Sequence, residues 1–195
     1  MHLPVNYLYR HAIELYLKSF IVILHKALKI PYGQHNYKST PHVQINNNWV
    51  PIYRTHDLAD LFRYFERILN QNCSKIRSIS TTDWCTLPPG LDTQIFTISN
   101  IDTHSTYLRY PDLRDPTNEQ TKSTFEEINL SDIFMKFPIM KNPAKIIMEY
   151  DDNEEISSVY INKNPHKQVT IMLQDIASLL EGVHLGMRIE LANGE

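Results

Sequence analysis

Residues 6–24, NYLYRHAIELYLKSFIVIL, form the stretch that decides the fold. On a helical wheel of about 100° per residue, the polar side chains gather in one arc of roughly 100°: Tyr7, Arg10, His11, Glu14, Lys18 and His25. Nearly every other position is apolar, whereas an ordinary surface helix carries a wider polar face. The pattern therefore predicts a central helix over residues 5–29, buried on most sides, with one narrow strip of ionisable groups.

The strip has two interpretations. Arg10, Glu14 and Lys18 are spaced by four residues, so they can pair along a helix face that simply meets water. Alternatively, the strip lines a cleft. A buried pair of Arg10 with Glu14 would brace the helices through charge-assisted hydrogen bonds. Such a pair would orient Arg109 or hold Asp102.

Length and composition are those of a chain that folds around a hydrophobic core. Its 195 residues suit one domain, or one domain with a large insertion, and a hydrophobic content of 42% supports a substantial core. Cys73 and Cys85 form neither a disulfide framework nor a zinc site by spacing, so reduced thiols are expected. The first residues lack a signal-peptide layout, and the apolar run 20–24 is too short to span a bilayer. We therefore expect a cytoplasmic protein without a membrane anchor.

Charge is unevenly distributed along the chain. Residues 1–110 contain 11 Lys and Arg against 7 Asp and Glu, whereas residues 111–195 contain 8 against 15. Seven of the nine histidines also lie in the first part. A basic, histidine-rich first part can meet an anion such as RNA or a nucleotide. An acidic tail that covers a basic surface of the same molecule fits the charges equally well.

Local signals place the other elements of the first half. Residues 31–53 are polar and rich in Asn and Pro, which predicts a loop. Thr55 is the expected N-cap of a second helix, whose apolar residues run to Leu69 at helical spacing. The segment 70–90 is predicted to hold the end of that helix and a linker. A third helix is predicted over about 91–104, with strand as the alternative because Thr and Ile are frequent there.

The second half contains a predicted insertion and a final helix. Within the insertion, residues 112–165, the segments 145–150 and 157–162 are β-prone and flank an acidic turn, which predicts a hairpin. A final helix is predicted over about 166–192, with His184 and Arg188 on a solvated face. The chain is thus predicted to be a single, mainly α domain over 1–195.

Three fragments, taken in order, resemble the HEPN superfamily of small helical bundles. Residues 9–18, YRHAIELYLK, resemble an RHAxELxLK first-helix signature. Residues 56–61, HDLADL, resemble an HDLxxL start of the second helix. Residues 102–111, DTHSTYLRYP, resemble a DxxSxxxRYP segment that precedes a final helix. The likeness covers residues 5–111 and, loosely, the last helix.

The resemblance implies a four- or five-helix bundle, often a dimer, with links to RNA cleavage, nucleotide binding, toxin–antitoxin pairs and antiviral defence. The nuclease motif of the family is an arginine followed four to six residues later by a histidine, and two copies meet across a dimer. No arginine of this sequence has a histidine at that spacing. The resemblance therefore implies an RNA- or nucleotide-associated protein with a degenerate nuclease motif.

A non-standard nuclease site is the alternative. Metal-independent RNA cleavage needs a base for the 2′-hydroxyl, an acid for the leaving oxygen and a cation for the phosphate. Histidine suits the first two roles and arginine the third. The candidate catalytic residues are His104 and Arg109, with four residues between them, joined by His11 and His56 if the helices pack as in the family. As an exposed loop residue, His104 would have no such role.

The candidate ligand-binding residues share the strip or the third fragment: Arg10, Glu14, Lys18, Asp102, Ser105 and Tyr110. Asp102 and Ser105 can instead cap a helix end and a turn, and Tyr110 can pack in the core rather than stack on a base. No HxxxH or HExxH pair is present, so neither a metal site nor a cofactor is expected.

Three functions remain open at this level. The first is an RNA- or nucleotide-associated protein of a toxin–antitoxin or phage-defence system, with a cognate protein partner. The second is an active metal-independent ribonuclease. The third is a dimeric interaction scaffold, which would need a large exposed apolar patch and a fully paired polar strip. A homodimer is expected in each case.

Overall fold

The structure is a computed structural model that describes residues 3–102, 125–129, 146–162 and 167–194. Within these ranges the chain is mainly helical and contains two small antiparallel sheets. It divides into two compact units. The helical unit comprises Leu3–Tyr110 and Val169–Glu195, and the sheet unit comprises Met1–His2 and Pro111–Gln168. The single domain predicted over 1–195 stays a prediction.

The described ranges contain five α-helices: α1 (Leu3–Ala27), α2 (Leu58–Gln71), α3 (Cys73–Ile79), α4 (Leu91–Ile101) and α5 (Lys167–Ala192). The prediction of a mainly α chain is confirmed, and four of these helices lie where they were expected. The strand alternative for residues 91–104 is wrong over 91–101, which form α4. Within 70–90, the chain forms one helix that was not predicted, α3, and the predicted linker follows it. None of the described helices combines the length and apolarity that a membrane crossing requires.

Apolar side chains at helical spacing build the core of the helical unit. Fully buried residues of α1 and α2 form its centre: Ile13, Leu17, Phe20, Ile21, Leu24, Leu58, Leu61 and Leu69. Helices α4 and α5 add Ile95, Ile98, Leu173 and Leu180. The expectation that α1 is buried on most sides is only partly right, because Leu8 and Leu15 are 64% and 52% exposed.

Asp57, rather than Thr55, caps the second helix. The Asp57 carboxylate accepts a hydrogen bond from the Asp60 backbone N–H at 3.0 Å, which satisfies one of the free N–H groups of the first turn. Thr55 is buried and its hydroxyl donates toward the Pro51 carbonyl. The predicted N-cap is therefore wrong by two residues, and His56 lies immediately before the true cap.

A β-hairpin lies within the segment predicted as a loop. Strands β1 (His42–Ile45) and β2 (Asn48–Pro51) pair antiparallel, with Ile45 opposite Asn48. Asn46 and Asn47 form the two-residue turn, and both have positive φ, as a type I′ turn requires. A short 3₁₀ turn, Ile52–Arg54, then leads toward α2.

A disulfide joins Cys73 at the start of α3 to Cys85, with the Cα atoms 5.7 Å apart. The expectation of reduced thiols is wrong for this structure. The loop after α3 is also fixed to α5, because the Glu190 carboxylate accepts hydrogen bonds from Thr81, Thr82 and the Trp84 indole. These bonds, led by the one from the Thr82 hydroxyl, lower the pKa of Glu190 to about 2.

The sheet unit contains the predicted hairpin and one further strand. Strands β4 (Ile146–Tyr150) and β5 (Ile156–Asn162) pair antiparallel, and β3 (Phe125–Glu127) pairs with the other edge of β5. Their order is β3-β5-β4. Val159 and Ile161 are buried, as alternating residues on a central strand are expected to be.

Candidate functional site

The polar strip of α1 forms a buried ionic cluster, which we call the Glu14 cluster: Arg10, Glu14, Lys18, His56 and Asp102. The Glu14 side chain is 2% exposed and accepts hydrogen bonds from Arg10, from Lys18 Nζ at 2.8 Å and from His56 Nδ1 at 3.0 Å. One carboxylate thus binds three donors, two of them on its own helix at i−4 and i+4. The interpretation in which the whole strip faces water is wrong, although its pairing is confirmed.

Arg10 connects three elements of the helical unit. Its side chain is 1% exposed, donates to Glu14 and to the His56 carbonyl, and brings Nε to 3.3 Å from Asp102 Oδ2. A guanidinium has five N–H donors and is charged at every accessible pH, so it can hold several acceptors at once. The predicted contact of Arg10 with Asp102 is present as a buried ion pair, without the hydrogen bond that the bracing interpretation expected. Arg109 lies outside the described residues.

Electrostatics keep the Glu14 carboxylate ionised. Burial, the largest single influence, raises its pKa, but hydrogen bonds from Lys18 and His56 and the charges of Lys18 and Arg10 outweigh it. The pKa of Glu14 consequently lies below its ordinary value. A buried carboxylate that stays charged needs such partners, because an unpaired charge in an apolar surrounding costs several kcal/mol.

His56 is the accessible member of the cluster. Its side chain is 50% exposed, against 15% for Lys18. Nδ1 is held by Glu14, and within the described ranges Nε2 has no hydrogen-bond partner. A carboxylate on one ring nitrogen fixes the orientation and tautomer of an imidazole, and leaves the other nitrogen to exchange a proton with a ligand.

The segment after His56 is itself fixed by α4. Ser99 is buried, and its hydroxyl donates to the Asp57 carboxylate at 3.1 Å and accepts from the Ala59 N–H. Asp57 therefore caps α2 and binds α4, while His56, the residue before it, contacts Glu14 as a member of the cluster. Sequence reasoning missed Asp57 and Ser99 as supporting residues. The signal for Asp57 was its place immediately before Leu58, the first buried residue of α2.

The structure brings together five of the ten predicted site residues. Arg10, Glu14, Lys18, His56 and Asp102 share the cluster, whereas His11 is half-buried and stacks on Tyr7 with ring centroids 5.8 Å apart. The remaining candidates lie outside the described residues: His104, Ser105, Arg109 and Tyr110. Within the described ranges, no group of three or more His, Cys, Asp or Glu is arranged to hold a metal ion.

The cluster presents two groups to a ligand: the oriented imidazole of His56 and the ammonium group of Lys18. The buried charges of Arg10, Glu14 and Asp102 lie beneath them. Arg10 and Asp102 are both about 1% exposed and cannot reach a ligand without rearrangement, so their role is structural. His56 and Lys18 are the groups that a ligand can touch. Comparison of the chain with family models, with curated proteins and with solved structures gives no match.

Proposed function

We propose that the chain is a HEPN-like protein that binds RNA or nucleotide phosphates at the accessible edge of the Glu14 cluster, through His56 and Lys18. The observation that carries the proposal is the shared carboxylate: Glu14 holds His56 Nδ1 and Lys18 Nζ at 3.0 and 2.8 Å. Both donors are thereby fixed next to each other before any ligand binds, which reduces the conformational entropy lost on binding.

The charges of the cluster favour anion binding only at its accessible edge, formed by His56 and Lys18. Arg10 and Asp102 are buried together, and their charges offset each other. Lys18 and Glu14 offset each other as well, so a phosphate would gain hydrogen bonds from His56 and Lys18 rather than a strong general attraction. We therefore expect moderate affinity with a shallow salt dependence, corresponding to one or two phosphate contacts.

Fluorescence anisotropy with a labelled single-stranded RNA tests the binding proposal. We expect His56→Ala and Lys18→Gln each to weaken binding by about five- to tenfold, the loss of one charge-assisted contact. His35→Ala is the matched control, because His35 is an exposed histidine of the loop after α1. Equal affinity of wild type and His56→Ala would contradict the proposal, as would an equal loss in the control.

Metal-independent RNA cleavage is the second candidate, favoured by the bond between Glu14 and His56 Nδ1. In this reaction Nε2 of His56 takes the proton of the 2′-hydroxyl, the 2′-oxygen bonds to phosphorus and the bond to the 5′-oxygen breaks. Lys18 would stabilise the phosphorane charge and donate one of its ammonium protons to the leaving 5′-oxygen. The products are a 2′,3′-cyclic phosphate and a 5′-hydroxyl.

Cleavage in the presence of a chelator distinguishes the two candidates. If His56 is the base, His56→Ala abolishes cleavage, and Glu14→Gln reduces it more than it reduces RNA affinity. If the protein only binds, wild type shifts the RNA without cutting it. Cleavage that persists in His56→Ala would place any catalytic base elsewhere.

The homodimer, the cognate partner and the toxin–antitoxin or phage-defence setting follow from the resemblance and belong to the same proposal. Leu8 and Leu15 favour self-association, because they lie seven residues apart on one face of α1 and are both exposed. Sedimentation of wild type against Leu8→Glu tests it: we expect the variant to be monomeric at concentrations where wild type is dimeric. A monomeric wild type would contradict it.

A further inference from the structure

A small cleft lies between the first β-hairpin and α2 in the helical unit. One wall comes from residues 44–46 of the hairpin, and the other comes from four residues of α2: Asp60, Arg63, Tyr64 and Arg67. Its volume is about 230 Å³, below the roughly 300–1,000 Å³ of sites for drug-sized molecules. None of the Glu14 cluster residues lines it. The cleft therefore suits a small ligand, or one end of a larger one.

Arg67 is held in place beside this cleft before any ligand binds. Its guanidinium lies over the Tyr64 ring, 5.0 Å from the centroid, and donates from Nη2 to the Gln44 carbonyl at 3.2 Å. Tyr64 is itself fixed, because it is buried and its hydroxyl lies 3.0 Å from His25 Nε2. Among the described residues Arg67 forms no ion pair. A positioned guanidinium with further N–H donors thus lines the cleft.

Arg63 brings a second guanidinium to the same cleft, one helical turn from Arg67. It lies over the Phe96 ring, 5.0 Å from the centroid, and its Nη1 is 3.4 Å from Asp60 Oδ1. That ion pair is exposed, so it contributes little to stability and leaves most donors of the guanidinium to other acceptors. Like charges four residues apart on a helix repel each other, and an anion bound by both would relieve the repulsion. A phosphate suits the pair, because its terminal oxygens can accept from two guanidiniums at once.

Asp60 adds an acceptor beside these two donors. It is the one acidic residue among the seven that line the cleft, all of which belong to the described part of the chain. The single hydrogen bond that its carboxylate accepts within that part is the one from Arg63. An ionised carboxylate has room for several hydrogen bonds, so Asp60 can also accept from a ligand. It repels a bare phosphate but attracts hydroxyl donors, and the cleft therefore matches a ligand that carries both groups.

We propose that this cleft binds a sugar phosphate, in which Arg63 and Arg67 hold the phosphate and Asp60 accepts hydrogen bonds from the sugar hydroxyl groups. Inorganic phosphate would forgo the bonds to Asp60 and meet its repulsion, and a neutral sugar would forgo both arginines. The same chemistry occurs in a free sugar phosphate and at the 5′-phosphorylated end of a nucleic acid. The proposal does not depend on phosphate binding at His56 and Lys18, because the two sites share no residue.

Isothermal titration calorimetry with ribose 5-phosphate tests the site. We expect a Kd below about 1 mM, at least fivefold weaker binding of inorganic phosphate, and no binding of ribose at about 10 mM. The titrations are made in wild type and in a His56→Ala background, which removes phosphate bound at the Glu14 cluster. A 5′-phosphorylated RNA dinucleotide distinguishes the two sources: tighter binding than ribose 5-phosphate assigns the site to a nucleic-acid end, and weaker binding assigns it to a free sugar phosphate.

Variants assign the binding to the cleft. Arg67→Gln should weaken ribose 5-phosphate binding at least tenfold, and Arg63→Gln about fivefold, since each removes charge-assisted hydrogen bonds to the phosphate. Asp60→Ala should have the opposite effect on inorganic phosphate, which binds more tightly once the repulsion is gone, and should abolish the preference for ribose 5-phosphate. Arg54→Gln is the matched control, because Arg54 is an exposed arginine over the Tyr53 ring and lies outside the cleft lining.

Three results would each overturn the proposal. They are the absence of ribose 5-phosphate binding to folded wild type at about 5 mM, equal losses in Arg67→Gln and Arg54→Gln, and an unchanged preference over inorganic phosphate in Asp60→Ala. Thermal unfolding identifies any variant that fails to fold. If Arg67→Gln does not fold, Arg63→Gln decides the matter, because the Arg63 side chain is 63% exposed and can be replaced without loss of the core.

Discussion

Glu14→Gln is the most informative single substitution, because Glu14 is the shared acceptor of the buried cluster. The change preserves the shape of the side chain but removes the charge that Arg10 and Lys18 neutralise. Removing one partner from a buried ion pair costs about 3–5 kcal/mol. We expect the lower end, about 3 kcal/mol, because the amide oxygen still accepts one hydrogen bond and Asp102 remains beside Arg10.

Urea unfolding followed by circular dichroism measures this loss. For a chain of this size, about 3 kcal/mol corresponds to a melting temperature lower by roughly 6–12 °C. Asp60→Asn is the matched control, because Asp60 forms a surface ion pair with Arg63 at 3.4 Å and such pairs contribute about 0–1 kcal/mol. The denaturant slope should stay unchanged, since the surface exposed on unfolding is the same.

The pH dependence gives a second readout of the same change. The folded-state pKa of Glu14 lies below its ordinary value of 4.5, so its contribution is present above that value and is lost as the pH falls through the folded pKa. Between about pH 5 and pH 3, wild type should therefore lose more stability than Glu14→Gln. If Glu14→Gln lowered the free energy of unfolding at neutral pH by less than about 1 kcal/mol, no more than Asp60→Asn does, the reasoning that the cluster is buried and coupled would be refuted.

Three further changes have expected outcomes. Burial lowers the pKa of His25 below 6.5, so the unfolded state binds the proton first and the free energy of unfolding falls as the pH drops below that value. His25→Gln should remove this pH dependence, which is measured by comparing urea midpoints at about pH 7 and 5.5. Replacing Cys73 and Cys85 together by Ser should cost about 3 kcal/mol, because the cross-link closes a loop with a sequence separation of 12, and dithiothreitol should lower the melting temperature of wild type alone. Gly186→Ala should destabilise by about 1–3 kcal/mol and alter tryptophan emission, because the added methyl would overlap the Trp84 ring.

Each of these outcomes has a control that can contradict it. An unchanged pH slope in His25→Gln would mean that other groups titrate in that window. Equal effects of dithiothreitol on wild type and on the serine variant would place its action away from the disulfide. Gly182→Ala has open space around the added methyl and should be neutral or stabilising, so a similar loss in both glycine variants would exclude the Trp84 contact as the cause.

The helices could be predicted because their evidence is local. Apolar residues three and four apart specify which face of α1, α2, α4 and α5 is buried, and the Arg10–Glu14–Lys18 spacing predicts the ion pairs along α1. Helix caps and short turns depend on single residues, so their predictions were less accurate. Asn46 and Asn47 are a two-residue hairpin signal, but the flanking strands have only four residues each and little alternation.

The site itself required contacts that no local pattern contains. His56 reaches Glu14 across 42 residues, and Asp102 reaches Arg10 from the end of α4. Periodicity places each side chain on a face of its own helix but does not say which faces meet. The disulfide has the same origin, since Cys73 and Cys85 become neighbours only because α3 ends and the chain turns back to α5.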